Sequence, residues 1–96
     1  MNQLLLCVTY TIKSGMRDEF IREVLSSGVV EKIHKENGCL GYAYYRPVLE
    51  EDSVLLVEKW DNEASQRAHL KQPHMETLKS IKERYVVDTH LEKSFL

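Results

Sequence analysis

Two β-rich runs separated by little more than an acidic turn constrain this chain more than any other feature. Residues 39–48 carry Tyr42, Tyr44 and Tyr45 among small residues, and residues 54–60 are β-branched and apolar. Between them lies Glu50-Glu51-Asp52, so the two read as a hairpin. Helical periodicity flanks the hairpin on both sides. Upstream, Met16, Phe20 and Val24 recur with Ile21 and Leu25 at helical spacing, which predicts a helix over 16–36. Gly28, after Ser26-Ser27, lowers helix propensity inside that span and is a candidate kink. Asn37-Gly38 is a fitting helix exit.

Downstream, Asp61-Asn62-Glu63-Ala64 starts a helical region with a capping side chain and acidic first-turn residues. Pro73 divides that region and suits the first turn of a second helix running to about residue 84, with Leu78 and Ile81 inward. Residues 3–12 are apolar at both parities, as in a strand covered on both faces, and residues 85–95 alternate as a half-exposed strand. The order is βαββαβ. Two right-handed crossovers then put the helices on one face of a four-stranded antiparallel sheet, a ferredoxin-like α+β fold. The opposite face has no helix left to cover it, although strands one to three are apolar at both parities. A second copy of the chain is the expected cover, making a homodimer.

At 96 residues the chain is expected to form a single domain over 1–96. A net charge of -2 supplies no basic field for a phosphate backbone, so nucleic acid is not an expected partner. The apolar start at Leu4 to Leu6 is interrupted by Thr9, Tyr10, Thr11 and Lys13, well short of a signal sequence or membrane span. No membrane partner is expected, and the expected location is cytoplasmic. Cys7 and Cys39 lack metal-ligand spacing and read as reduced, buried small residues.

The candidate chemistry lies around the last strand of the hairpin. Glu58 shares strand parity with Val54, Leu56 and Trp60, so its carboxyl shares a sheet face with apolar neighbours. There it must be hydrogen-bonded, paired or protonated, and it could orient a histidine, exchange protons with a substrate, or pair with a basic residue. His69 falls about two helical turns after the Asp61-Asn62 link and can reach the same side of the sheet as Glu58 and Trp60, in one cavity with a wall from Val54, Leu56 and Phe20. Imidazole titrates near neutrality, which makes His69 the first candidate base; His74 could share the role or pack structurally. Trp60, Tyr42, Tyr44 and Tyr45 are candidate pocket aromatics that could donate a hydrogen bond to a substrate oxygen, with core or interface packing as the alternative. The histidines at 34, 69, 74 and 90 show no zinc or facial-triad spacing, and the four dispersed glycines make no phosphate loop. Neither metal nor nucleotide cofactor is expected.

These residues carry a resemblance. Glu58-x-Trp60-Asp61-Asn62-x-Ala64, His69 followed by Pro73-His74-Met75, the stretch Asn37-Gly38-Cys39-Leu40-Gly41-Tyr42, and Ser14-Gly15 with Phe20 resemble the antibiotic-biosynthesis monooxygenase family over nearly the whole chain. The resemblance implies a dimeric α+β barrel and oxidation of quinols or polycyclic phenols by molecular oxygen without flavin, haem or metal. The chemistry of the residues themselves makes His69, Glu58 and His74 the catalytic candidates and Trp60, Tyr42, Tyr44 and Phe20 the substrate-binding ones. Haem-degrading relatives use a first-strand asparagine and a later tryptophan and histidine; this chain has Cys7-Val8-Thr9, His69 and Lys79 there, a departure from that chemistry. An isomerase branch acting on a phosphorylated dione shares Asp18-Glu19-Phe20-Ile21, Glu58 and the segment from His69 to His74, with Arg46 and Lys59 as candidate phosphate clamps, but has an acid where this chain has Ala43. Isomerisation of a small carbonyl compound and ligand binding without catalysis are the alternatives.

Overall fold

Alternation of apolar side chains along the strands places the core of this chain between sheet and helices, as described by a computed structural model covering residues 2–96. The elements are β1 (Leu4–Ile12), α1 (Arg17–Ser26), α2 (Val29–His34), β2 (Cys39–Tyr45), β3 (Ser53–Trp60), α3 (Glu63–Leu70), α4 (Met75–Tyr85) and β4 (Val86–Phe95). The sheet order is β2-β3-β1-β4, antiparallel throughout, which is the ferredoxin-like arrangement. Leu4, Leu6, Val8, Tyr10 and Ile12 of β1 are buried beneath the helices, and Val54, Leu56, Glu58 and Trp60 of β3 pair beside them on that face.

Three local expectations change. The helix expected over 16–36 is two helices, because Gly28 takes a left-handed φ of 80° that only glycine adopts without strain. Tyr85 closes α4 instead of opening the last strand, and β4 beyond Val86 is exposed throughout, so its sequence alternation is not expressed as burial. Cys7 and Cys39 are free thiols but only half-buried. Cys7 pairs with Val57 across β1 and β3 on the helix-free face, alongside half-buried Leu5 and Leu55. Among the described residues no helix is long and apolar enough to cross a membrane.

Gly38 positions the later site. Its φ is 85°, and any Cβ there would collide with the Ser65 side chain and the Asp61 carboxylate. The Gly38 carbonyl accepts the Asp61 N–H at 2.9 Å. The turn after α2 is thereby pressed against the start of α3, where Asn62 Oδ1 caps the helix by accepting the Ser65 N–H at 2.9 Å.

Candidate active site

β3 supplies the acid. Glu58 stands between Leu6 of β1 and Tyr42 of β2 and is 7% exposed. The Trp60 indole N–H donates to Glu58 Oε1 at 3.1 Å, a contact that strand parity makes possible by turning both side chains to one face. Burial pushes the Glu58 carboxyl above the ordinary carboxylate range, against the opposing pull of the Trp60 hydrogen bond and the nearby His69 and Lys82.

α3 supplies a buried histidine. His69 is 2% exposed, and its ring lies over the Trp60 indole with centroids 4.7 Å apart. Nδ1 of His69 is 3.0 Å from both carboxylate oxygens of Glu36, and Nε2 is 4.0 Å from Glu58 Oε1. His74, just before α4, brings Nε2 to 2.7 Å from Glu36 Oε2. The Glu36 carboxylate thus joins two histidines from neighbouring elements. A carboxylate oxygen accepts from a ring N–H, and in the tautomer that places the proton on Nδ1 the His69 Nε2 is bare toward Glu58.

Beside His69 and Glu58 is a cavity of about 230 Å³. Gln66, His69 and Leu70 enter it from α3 and Met75, Leu78 and Lys82 from α4, both sets at helical one-face spacing. Leu6, Val8, Tyr10, Tyr42 and Glu58 form the sheet wall, and Thr89 and the half-exposed Leu91 of β4 form the rim. Desolvation raises the Tyr10 and Tyr42 hydroxyls well above their ordinary value, so both are neutral hydrogen-bonding groups at neutral pH.

The sequence-derived residues therefore divide. Glu58, His69 and Tyr42 line one cavity on the helix side of the sheet. Trp60 is absent from its lining: it is 0% exposed and acts from beneath, through its hydrogen bond to Glu58 and its stacking on His69. Phe20 is also outside the lining, packed edge-on to Tyr10, Tyr44 and Tyr85. Tyr44 belongs to that aromatic cluster, and its hydroxyl is pushed up to about 12 by burial, whereas Tyr45 pairs with Leu55 on the helix-free face, is exposed and lies outside the cavity. Val54 and Leu56 are core, so the expected apolar wall comes from Leu6, Val8, Met75 and Leu78 instead. His74 reaches the site only through Glu36. Arg46 is paired with Asp18 at 3.1 Å, and Lys59 lies on the opposite sheet face, so neither clamps a ligand in this cavity.

Sequence reasoning missed Glu36 and Lys82. Glu36 sits among Glu31, Lys32 and Lys35 and looks like a solvated charge run; its role arises from the tertiary approach at Gly38. Lys82 carried a usable signal, since it follows Leu78 by four and precedes Tyr85 by three, on a face that helical spacing turns inward. Among the described residues no group of three or more His, Cys, Asp or Glu side chains forms a metal-holding set.

With this geometry in place, comparison with known proteins is decisive. The sequence pattern of the family described as antibiotic biosynthesis monooxygenase matches residues 4–80. The chain belongs to this family. Members and structural neighbours share its architecture: a Pseudomonas aeruginosa protein has a TM-score of 0.86 at 20% identity, covering 100% of this chain and 95% of that one. A candidate antibiotic biosynthesis monooxygenase from Caulobacter crescentus has a TM-score of 0.87 at 17% identity, covering 97% and 88% of the two chains. An uncharacterised protein of Synechocystis is 33% identical over 63 residues, which span 66% of this chain but only 42% of that protein. At identities this low the solved structures establish the fold; the family pattern establishes the membership.

Proposed function

We propose that this member of the family is a cofactor-independent monooxygenase that oxidises a small quinol or polycyclic phenol with molecular oxygen, working as a homodimer. The observation that carries the reading is the His69 imidazole, held at Nδ1 by Glu36 with Nε2 directed toward Glu58 beside an apolar cavity. Triplet oxygen reacts slowly with closed-shell organics, yet an electron-rich phenolate reduces it directly. The protein need only ionise the substrate and keep it from water.

Anthrone, as its phenolic tautomer, illustrates the balance. His69 Nε2 takes the hydroxyl proton, breaking the O–H bond and forming N–H. The anion transfers electron density from its ring carbon to oxygen, and a carbon–oxygen bond forms to give a peroxide. The peroxide takes up a proton; loss of the remaining proton on that carbon then breaks the O–O bond, leaving a carbonyl and hydroxide. The hydroxide leaves as water once protonated. One oxygen atom enters the product and the other becomes water. Glu58, whose burial favours its protonated form, is placed to supply the proton for the departing oxygen. Tyr42 lines the same cavity and serves as a hydrogen-bond donor to the substrate. Trp60 holds Glu58 in position, while Phe20 and Tyr44 support the wall behind it.

Oxygen-electrode measurements test the proposal. Oxygen consumption with anthrone or a naphthohydroquinone, unaffected by chelator and lost in His69→Ala, is expected. Anaerobic rearrangement of a dione with no oxygen consumption would replace it with isomerisation, and binding without turnover would reduce the protein to a ligand-binding module.

A further inference from the structure

A cationic group stands in the cavity wall without a carboxylate partner. Lys82 enters from α4 and lines the same cavity as His69 and Glu58. It is half-buried, with its ammonium 5.7 Å from the centroid of the Tyr10 ring. Among the described residues the ion pairs engage other side chains, and none includes Lys82. Its surroundings are otherwise apolar or neutral: Met75 and Leu78 on its own helix, Tyr10 on β1, and Thr89 and Leu91 on β4. The remaining charged groups nearby are Glu58 across the cavity and Lys79 and Glu83 in the open groove behind Lys82.

Resting on the reading of this cavity as the substrate site, we propose that Lys82 is a substrate-binding residue that holds the ionised hydroxyl of an aromatic ligand. The oxygen is shared between the Lys82 ammonium and the Nε2 side of His69.

A partly desolvated ammonium has given up part of its hydration without a contacting counter-ion, and an anion brought against it offsets that loss by direct attraction, whereas a fully exposed lysine stays solvated and gains less. Desolvation already lowers the proton affinity of Lys82, consistent with a cation that lacks a contacting counter-ion in the free protein. Glu58 acts on Lys82 only from a distance: its charge raises the lysine's proton affinity against the desolvation, but its close polar contacts are the Trp60 indole N–H at 3.1 Å and His69 Nε2 at 4.0 Å, and no ion pair joins it to Lys82. When His69 takes the hydroxyl proton, the O–H bond breaks, an N–H bond forms, and the negative charge left on oxygen meets the ammonium. The arrangement selects an aromatic hydroxyl over a neutral hydrocarbon of equal size, because only the former delivers that charge.

A coloured phenol reads this directly without turnover. 4-Nitro-1-naphthol would be bound to the wild-type protein, Lys82→Met and Lys82→Arg, and its ionisation followed by the phenolate absorbance across pH. A cation within contact distance lowers an acid's pKa by about one unit or more. The wild-type protein and Lys82→Arg should therefore ionise the bound phenol at lower pH than it ionises in solution, and Lys82→Met should abolish that shift with roughly tenfold weaker phenolate binding. Circular dichroism confirms folding of the variants. The inference is overturned if Lys82→Met ionises and binds the phenol like the wild type, or if the wild-type protein fails to bind it or raises its pKa. Because oxygen consumption is measured separately, an intact Lys82-dependent shift without oxygen uptake would remove the monooxygenase reading and keep this one.

Discussion

Glu36 and His69, which lie 33 positions apart in the chain, meet with a carboxylate oxygen 3.0 Å from Nδ1 in a contact closed by the turn at Gly38. The relationship gives a kinetic expectation. Glu36→Gln replaces an obligate acceptor with an amide and no longer enforces the tautomer that leaves Nε2 bare. It should lower kcat on the order of 10²- to 10⁴-fold with little change in KM, as His69→Ala should. The double variant should lose scarcely more than either single one, since the two side chains act as a unit. Additive losses in steady-state oxygen uptake would separate them.

The turn itself is a stability device. Gly38→Ala would place a methyl group against Asp61 and Ser65 at a φ of 85°. Urea unfolding should show a loss of about 1 kcal/mol or more, since a left-handed residue and a collision are both imposed. A variant as stable as the wild type would mean that the approach of the two segments is looser than described.

Glu58 should make stability fall with rising pH. Burial raises its proton affinity in the folded chain above the ordinary carboxylate value of 4.5. Between that value and the raised one, the folded state holds a proton that the unfolded state has released, and stability declines as pH climbs through the window. Glu58→Gln removes this decline while keeping an oxygen to accept the Trp60 N–H. The variant should resist urea better than the wild type above the window, the advantage closing as pH drops toward 4.5. An advantage of equal size at every pH would assign the effect to packing.

Much of this was legible in the chain itself. The hairpin, a side-chain cap at the start of α3 and a helix restart after Pro73 reflect local chemistry and are all present. β2 nevertheless stops at Tyr45 rather than at residue 48, and α4 begins at Met75 with His74 as its N-cap, so that Pro73 precedes the helix instead of sitting in its first turn. The shared parity of Glu58 and Trp60 correctly put them on one face but could not distinguish lining a cavity from lying beneath it; that depends on the height of His69 over the indole. Glu36 was invisible because its partner is brought by a tertiary turn, and the break at Gly28 was legible only as a weakness in a helix, not as its end.

The helix-free face carries the expectation of a dimer. Leu5, Cys7, Leu55 and Val57 lie there half-buried, beside Ala43 of β2. Light scattering at micromolar concentration should give twice the chain mass of 11.2 kDa. Val57→Lys, which puts a charge in the middle of that face, should shift the population to monomer; a wild-type monomer would remove the dimer from the account.

The origin of the inserted oxygen tests the central claim most directly. Anthrone incubated with the protein under isotopically heavy dioxygen in ordinary water should yield a quinone carrying one heavy oxygen atom, detected by mass spectrometry, at a rate that collapses in His69→Ala. Product carrying only oxygen from water, or labelled product formed as fast by His69→Ala as by the wild type, would contradict monooxygenation at this site.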